Sequence, residues 1–348
     1  MQNVEKAQEY FGFSGGWRPQ RIDGGGQEPR GKHSASGASG AHSAAGDQLL
    51  AQRAAAEHLE ELLDDHARWQ DSLPSWDEAL YGQQEAAPQP APAAEAAPSA
   101  KRAPLIAVVG GSGGVGRSTV AALCAALAAE QGMEVGLVEG DLQFGDLGFW
   151  FGLDDALPNL GEPRTCVPVR CPPGFDLYKA PLFPEVAEEV EDILAGQLEP
   201  MRSGRDLLLA DTGGMWSGYT ASLLLQCDLY FMVVDQRPSS VASALKASEL
   251  CHRLKVPRTR MVVVYNRWSS KAALSAREVG RALDATHVCC VQDAREPLDE
   301  LIRCGGMECL LQGDNPALTG ARELLRQALP RVGCSFEGQD NKRRGLFK

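Results

Sequence analysis

The sequence lacks the features that secreted, membrane-spanning and nucleic-acid-coating proteins share. No apolar run approaches the roughly 20 residues needed to cross a bilayer. The first residues, MQNVEKAQEYFGFSGG, show no basic start followed by an apolar core, so we expect no signal peptide. Lysine and arginine number 34 against 46 aspartates and glutamates, which leaves a net charge of −12. Because phosphate backbones bind basic surfaces, this deficit argues against nucleic acid as a partner.

Cysteine pairs suited to metal binding are also missing. The ten cysteines include no Cys-x-x-Cys. The pairs Cys166/Cys171 and Cys304/Cys309 are too loosely spaced, without nearby histidines, to indicate zinc. In a chain without an export signal, cysteines are typically reduced thiols. We therefore expect a cytoplasmic protein.

The composition of the chain changes near residue 103. Residues 14–46 are rich in Gly, Ser and Ala, and QQEAAPQPAPAAEAAPSAKRAP is a Pro/Ala linker, so neither can bury enough apolar surface to fold. Between them, apolar residues at helical spacing predict a helix at about 47–70 with Asp47 as its N-cap. This helix is interpreted either as a lone marginal helix in a disordered arm or as a docking helix for a partner. The predicted organisation is an arm at 1–102, a folded domain at 103–332 and a basic tail at 333–348.

From Leu105 onward, short apolar runs alternate with helical patterns. The predicted strands are 105–109, 134–138, 174–180, 206–211, 228–234, 260–265 and 287–291. The predicted helices are 117–131, 184–201, 219–226, 240–254, 274–284, 295–304 and 316–329. Runs such as LIAVV and DLLLAD are typical of parallel strands buried on both faces. The alternation predicts an α/β domain, doubly wound around a mainly parallel sheet.

The glycine-rich stretch GGSGGVGRST, residues 110–119, contains no lysine, yet it follows a predicted strand and opens a predicted helix. A phosphate-binding loop has this order, because glycines let backbone N–H groups approach phosphate oxygens and a helix N-terminus adds partial positive charge. Residues 111–118 match G-x-x-x-x-G-K-[ST] except that Arg117 replaces the lysine. The stretch therefore predicts a phosphate-binding loop. A glycine-rich turn without a ligand is the alternative.

Acidic residues follow two of the later predicted strands. Glu139 and Asp141 come after the second strand, and Asp211 ends the run DLLLAD. In an open α/β sheet, ligands bind at the carboxyl ends of the strands, where the glycine-rich loop also lies. A serine hydroxyl and carboxylates can hold Mg²⁺ directly or through water. The sequence therefore predicts a metal-assisted phosphate site with Ser118, Asp141 and Asp211 at the metal.

These motifs carry a family resemblance. SGGVGRST resembles the deviant Walker A loop KGGVGK[ST] of the MinD/ParA group of ATPases. LVEGDLQFGDLGFWFGL is similar to a stretch of the CpaE/TadZ branch, whose members position the assembly of Tad (Flp) pili. The likeness continues through DLLLADTGG, CDLYFMVVDQRPSSVASALK and VVVYNR over residues 104–332. It implies a P-loop NTPase fold, ATP or ADP with Mg²⁺ as cofactors, pilus or secretion assembly proteins as partners, and a homodimer.

The resemblance also implies a role for each residue of the site. In the loop it assigns phosphate contacts to Ser112, Gly113, Gly114, Val115 and Gly116, the lysine position to Arg117, Mg²⁺ binding to Ser118 and the α-phosphate side to Thr119. Beyond the loop it assigns water orientation to Asp141, metal support to Asp211 and Asp141, γ-phosphate sensing to Gly214 and adenine recognition to Asn266.

Two departures from the family pattern bear on activity. Ser112 stands where the family has the lysine that contacts phosphate across a dimer, and Arg117 stands at the P-loop lysine. The planar guanidinium does not replace a compact ammonium in shape. We therefore expect backbone amides to keep nucleotide binding, with ATP hydrolysis weak or absent. The region before residue 103 is also too glycine-rich and strand-poor for the receiver-like domain of CpaE/TadZ proteins.

Other interpretations stay open. A MinD/ParA-type switch in cell division or partitioning and a scaffold that binds no nucleotide fit the same motifs. GGSGG also satisfies the hydrolase pattern G-x-S-x-G, with Ser112 followed in order by Asp235 and His287, although that fold needs several strands before the serine. The tail NKRRGLFK is either a solvated basic tail or a weak contact with the inner face of the membrane.

Overall fold

A parallel sheet forms the centre of the computed structural model, which describes residues 40–72, 102–154, 158–160, 166–311 and 315–337. The strands are β1 Leu105–Gly110, β2 Val135–Val138, β3 Val169–Arg170, β4 Asp176–Tyr178, β5 Leu207–Asp211, β6 Leu229–Val234, β7 Met261–Trp268 and β8 Val288–Gln292. They are ordered β3-β4-β2-β5-β1-β6-β7-β8. All neighbours are parallel except β3 and β4, which are antiparallel. The predicted α/β fold class is confirmed.

Helices cover both faces of this sheet. They are α1 Gly40–Ser72, α2 Arg117–Glu130, α3 Leu147–Trp150, α4 Ala187–Arg202, α5 Gly218–Gln226, α6 Pro238–Arg253, α7 Ala276–Ala282, α8 Arg295–Arg303 and α9 Pro316–Ala328. One apolar cluster packs α2 and α9 against one face, and a second packs α4 to α7 against the other. β1 and β6 are buried along their whole length because each contributes side chains to both clusters.

Two short elements were not predicted from the sequence. β3 has two residues and no apolar run, and it pairs with β4 through Val169–Leu177 and Arg170–Asp176. The single-turn helix α3 follows β2 within the DLQFGD segment. Conversely, the strand expected at 174–180 is only three residues long. The other predicted strands and helices of the domain lie where the apolar periodicity placed them, with ends shifted by a few residues.

Helix α1 packs against the sheet domain. From Ala44 onward it belongs to the same compact unit as the sheet. Leu59 is only 4% exposed and joins the cluster formed by α4 to α7, whereas Leu50 is 64% exposed. The Gln52 side chain donates to the carbonyl of Ala272, in the loop after β7, at 3.4 Å. The lone-helix interpretation is therefore wrong for the described part of α1.

Residues 83–101 of the Pro/Ala linker and the tail NKRRGLFK lie outside the described residues. Among the helices that the structure describes, none combines the length and apolarity that a membrane crossing requires.

Candidate nucleotide-binding site

The glycine-rich loop lies at the carboxyl edge of the sheet, in the middle of the strand order. β1 ends at Gly110 and pairs with β5 on one side and β6 on the other. Since these strands are parallel, Asp211 and the residues after Val234 reach the same edge. β2 lies beside β5 and brings the segment after Val138 to that edge as well. The structure thus brings the loop and the predicted acidic residues together.

Two glycines fit the loop tightly against its surroundings. A Cβ on Gly111 would lie 2.2 Å from the backbone carbon of Ser243, so α6 packs directly on the loop backbone. Gly116 has a left-handed φ of 92° and caps α2, and a Cβ there would lie 2.2 Å from Nδ2 of Asn266. Only glycine meets both the conformation and the space at Gly116.

Four consecutive loop carbonyls accept a hydrogen bond from a side chain. The pairs are Ser112 O with Arg117 Nη1 at 3.1 Å, Gly113 O with Arg237 Nη2 at 3.4 Å, Gly114 O with Arg267 Nη1 at 2.7 Å, and Val115 O with Asn266 Nδ2 at 2.8 Å. The next carbonyl, that of Gly116, accepts from Val120 inside α2. Every carbonyl from 112 to 116 is therefore fixed.

The fixed carbonyls determine where the loop N–H groups point. In a trans peptide the N–H of a residue points opposite to the carbonyl before it. The N–H groups of residues 113–116 consequently point away from the four side-chain donors, and none bonds to another described residue. Positive φ at Gly114 and Gly116 is typical of the backbone nests that bind anions. The loop presents four free donors and the N-terminus of α2.

Arg117 lies across the loop and does not extend into solvent. Its residue exposure is 9%, and its Nη1 donates to Ser112 O. A Cβ on Gly214 would lie 4.0 Å from its Nη2, so the guanidinium spans from the loop to the segment after β5. Its Nε and the hydroxyl of Ser112 are buried without a hydrogen-bond partner. Buried unpaired donors are costly, which makes both groups candidate contacts for a ligand at the loop.

Ser118 and Asp211 form the candidate metal pair. The Ser118 side chain lies close enough to the Asp211 carboxylate, which is 1% exposed, to lower its pKa. Burial raises the pKa of Asp211 to about 7, against the opposing effects of Ser118, Arg117 and the N–H of Thr212. A divalent cation beside this carboxylate would favour its ionised form. Hydroxyl and carboxylate oxygens at a phosphate loop are ligands that suit Mg²⁺.

Asp141 lines a cavity of about 330 Å³ beside the segment that follows β5. Its Oδ1 accepts from the N–H of Phe144 at 3.1 Å, which closes the turn after β2. The cavity is also lined by Gly214, Glu188 and Met215. Asp141 and Gly214 therefore share one open space, which the first residues of α4 and α5 also line.

Glu139 connects the segment after β2 to the end of β4, a role that its position in the sequence does not predict. It is 3% exposed, and its two carboxylate oxygens accept from the N–H of Leu147 at 2.6 Å and of Ala180 at 2.8 Å. Burial raises its pKa to about 7, although the two backbone hydrogen bonds oppose the shift. Glu139 thus joins the segment containing Asp141 to the end of β4.

The remaining predicted residues lie near the loop, except one. Thr119 lies in the first turn of α2, and Asn266, 5% exposed, uses its amide to hold Val115 O. His287, required for the hydrolase alternative, directly precedes β8 and is exposed. Because β8 is parallel to the other central strands, His287 lies at the opposite edge of the sheet from Ser112. The serine-hydrolase interpretation is therefore wrong.

Comparison with known proteins agrees with this geometry. Residues 101–178, which include the loop and Asp141, match the ParA family model described as NUBPL iron-transfer P-loop NTPase. An iron-sulfur cluster carrier protein from Clostridium perfringens (strain 13 / Type A) is 25% identical over 169 residues, which are 44% of this chain. The match spans 60% of the length of that curated relative.

Solved structures match the fold at low sequence identity. The ParA family ATPase from Chlorobium tepidum TLS superposes with a TM-score of 0.56 at 19% identity, over 63% of this chain and 96% of that one. The septum site-determining protein MinD from Pyrococcus horikoshii OT3, complexed with Mg-ADP, gives 0.56 at 17% identity, over 66% and 98%. A plasmid partition protein from Borrelia burgdorferi B31, bound to AMPPNP, gives 0.54 at 16%, over 66% and 100%. The described domain therefore has the MinD/ParA fold of P-loop NTPases.

Proposed function

We propose that this chain binds ATP or ADP with Mg²⁺ at the glycine-rich loop and acts as a positioning factor for an assembly, with slow or no ATP hydrolysis. The observation that supports nucleotide binding best is the set of four free N–H groups at residues 113–116. Such groups at a helix N-terminus are donors for phosphate oxygens. Buried, unpaired Arg117 Nε and Ser112 Oγ add two further donors at the same loop.

In this proposal each residue of the site has a separate role. The loop amides bind and orient the phosphates, Ser118 and Asp211 hold Mg²⁺, and Asp141 orients water in the adjoining cavity. Bound Mg²⁺ neutralises charge on the phosphate oxygens. Glu139 keeps Asp141 in place by tying the segment after β2 to the end of β4.

Slow hydrolysis follows from the way Arg117 is held. In P-loop enzymes a lysine cradles the β- and γ-phosphates as a compact charge. The guanidinium of Arg117 already donates to Ser112 O and is confined between the loop and Gly214. Because one donor of this planar group is already used by the loop, fewer donors remain for the charge that develops on the phosphoryl group in the transition state, and its stabilisation is weaker.

The positioning role rests on the resemblance of DLQFGD to the CpaE/TadZ branch. Pilus or secretion assembly proteins as partners, a homodimer and weak membrane contact through residues 341–348 belong to this proposal. A MinD/ParA-type switch is the second candidate, favoured by the solved relatives that are named for septum-site determination and plasmid partition. Cluster carriage is named for the curated relative, but this chain has no Cys-x-x-Cys to hold a cluster.

Isothermal titration of the full chain with ATP and ADP, with and without Mg²⁺, tests the proposal. We expect binding of both nucleotides and tighter binding with Mg²⁺. Ser118→Ala removes a metal ligand and should abolish the Mg²⁺ dependence while binding remains. Turnover of Mg-ATP should stay below about 1 s⁻¹, the low end of ordinary enzymes, and Asp141→Ala should lower whatever turnover is seen.

Three results would count against these claims. Absence of heat and of competition by either nucleotide supports the scaffold that binds no nucleotide. Turnover at ordinary enzymatic rates, lost in Asp141→Ala, supports the MinD/ParA-type switch. Binding that is unaffected by Ser118→Ala and by removal of Mg²⁺ contradicts the assignment of the metal pair.

A further inference from the structure

Two arginines from outside the loop bind it from the side opposite its free N–H groups. Arg237 follows β6, and Arg267 lies near the end of β7. Arg237 Nη2 donates to Gly113 O and Arg267 Nη1 donates to Gly114 O. They lie 124 and 153 residues from their partners along the chain, so only the strand order brings them to the loop.

Asp235 holds both guanidiniums. Its side chain is 6% exposed; Arg237 Nε donates to its two oxygens at 3.0 and 2.9 Å, and Arg267 Nη1 lies 3.8 Å from Oδ2. The Gln236 side chain additionally donates to the Arg267 carbonyl. Arg267 itself has a φ of 55°, a conformation that non-glycine residues rarely adopt. The two strand ends are thus linked through a carboxylate and an amide.

The two guanidiniums keep donors that are not used by the protein. Arg237 Nη1 and Arg267 Nη2 form no hydrogen bond with the described residues, and the side chains are 55% and 30% exposed. Arginine carries five N–H donors and is always charged. Two guanidiniums, balanced in part by the Asp235 carboxylate, therefore lie against a loop in which serine and arginine occupy the positions of the family's two lysines.

We propose that Asp235, Arg237 and Arg267 form a positioning clasp that sets the shape of the phosphate loop and supplies part of the positive charge toward a nucleotide polyphosphate. The clasp deepens the proposed nucleotide binding and rests on it. Holding the carbonyls of Gly113 and Gly114 fixes the N–H groups of Gly114 and Val115. The charge attracts a triphosphate more than a diphosphate, since the triphosphate carries more negative charge.

The clasp is tested in the full chain with Mg-ATP and Mg-ADP as probes, by displacement of a fluorescent ADP analogue. Arg267→Met and Arg237→Met keep the aliphatic stem and remove the donors and the charge. We expect Arg267→Met to weaken ATP binding by about tenfold, the size of one charge-assisted hydrogen bond. Arg237→Met should weaken it less, because its loop contact is longer and more exposed. Both effects should be larger for ATP than for ADP and should shrink in 0.5 M salt, where charge interactions over more than about 4 Å are largely screened.

Arg258→Met is the matched control. Arg258 also pairs with an aspartate, Asp284, at 2.9 Å, but it lies before β7 at the opposite edge of the sheet. It removes the same charge and should leave both affinities unchanged. Arg267→Lys keeps the positive charge but lacks the several donors of the planar guanidinium. Its affinity for ATP should lie between that of the wild type and that of Arg267→Met.

The outcomes separate this proposal from the one on which it rests. If the wild-type chain binds no nucleotide, nucleotide binding itself is refuted. If the wild type binds ATP and both methionine variants bind it as tightly as the wild type does, only the clasp is refuted. Equal losses for ATP and ADP that do not depend on salt refute the charge contribution. Urea unfolding midpoints identify a variant that fails to fold. If Arg267→Met fails to fold, Arg237→Met decides the test, because the Arg237 side chain is more exposed and its loss disturbs packing less.

Discussion

At the scale of single residues, Gly111 and Gly113 differ although they are two positions apart in one loop. A Cβ at position 111 would meet the backbone of α6, whereas nothing lies within 4 Å of a Cβ at position 113. Gly113 also has no left-handed φ that would disfavour a side chain. Packing therefore requires the first glycine, whereas neither packing nor backbone conformation requires the second.

Alanine substitution should therefore destabilise the protein at position 111 and have little effect at position 113. Gly111→Ala forces α6 away from the loop and should lower the free energy of unfolding by about 3 kcal/mol, at the upper end of overpacking costs. Gly113→Ala should change it by less than about 0.5 kcal/mol, as for an exposed site. Urea denaturation of the two variants measures both values, and equal destabilisation would contradict the close contact with Ser243.

Buried Glu139 makes stability depend on pH. Its pKa rises from 4.5 in a solvated chain to about 7 in the folded protein, mainly through burial. Between these values the folded state holds a proton that the unfolded state has released, so the folded state loses stability as pH rises. Asp211, whose pKa is also raised to about 7, acts in the same direction.

We therefore expect the free energy of unfolding, measured in urea with EDTA and without nucleotide, to fall between pH 5 and pH 7.5 by on the order of a few kcal/mol. Glu139→Gln cannot titrate and should show a shallower fall. Exposed Glu189 supplies the control, because Glu189→Gln should keep the wild-type slope. A flat wild-type profile over this interval would show that neither carboxyl is buried as described.

At the scale of elements, apolar periodicity predicted the long strands and helices but missed those that depend on distant contacts. LIAVV and MVVVYN are apolar enough to predict β1 and β7 without any neighbour. β3 has two residues, and its Arg170 pairs with Asp176 of β4 at 3.1 Å. Helix α3 begins where Leu147 donates to Glu139, eight residues earlier. Such elements form because of tertiary contacts that no local pattern contains.

The sequence likewise predicted the residues of the site that lie at the ends of apolar runs, but not those that reach it through the tertiary fold. The motif located the loop, Ser118 and Asp211, since each lies at the end of an apolar run. The contacts of Arg237 and Arg267 with the loop require β6 and β7 to follow β1 in the sheet, and the sequence alone does not contain this order. The sequence marks Asn266 as a strand-end residue, but its hydrogen bond to Val115 O joins residues 151 positions apart and depends on the tertiary fold.

Helix α1 offers a test at this scale because two leucines on it differ in burial. Leu59→Ala leaves a gap against the domain and should weaken the docking of α1 by about 2–4 kcal/mol. Leu50→Ala, at a side chain that is 64% exposed, should have little effect. Hydrogen exchange of the amides in residues 52–66 measures docking. Equally slow exchange in both variants would mean that Leu59 does not anchor the helix.

At the scale of the whole molecule, ligand binding and folding are coupled because the proposed site draws on most of the sheet. The loop after β1, Asp211 of β5, the turn after β2 and the ends of β6 and β7 all lie at one edge. Unfolding any of these strands therefore destroys the site. A nucleotide that binds only the folded state should stabilise the entire domain.

Thermal unfolding measures this coupling directly. At a nucleotide concentration 100 times the Kd, binding adds about 2.7 kcal/mol, which for a domain of this size raises the Tm by about 5–10 °C. We expect that rise with Mg-ATP and a smaller one when EDTA removes the metal. Asp211→Asn and Ser118→Ala should give the smaller rise with or without EDTA, because each removes one member of the metal pair. Ser270→Ala, at an exposed position after β7, should behave as wild type. A Tm that Mg-ATP leaves unchanged in the wild-type chain would mean that the four loop N–H groups bind no phosphate, whereas a rise that Asp211→Asn leaves intact would assign the metal to other ligands.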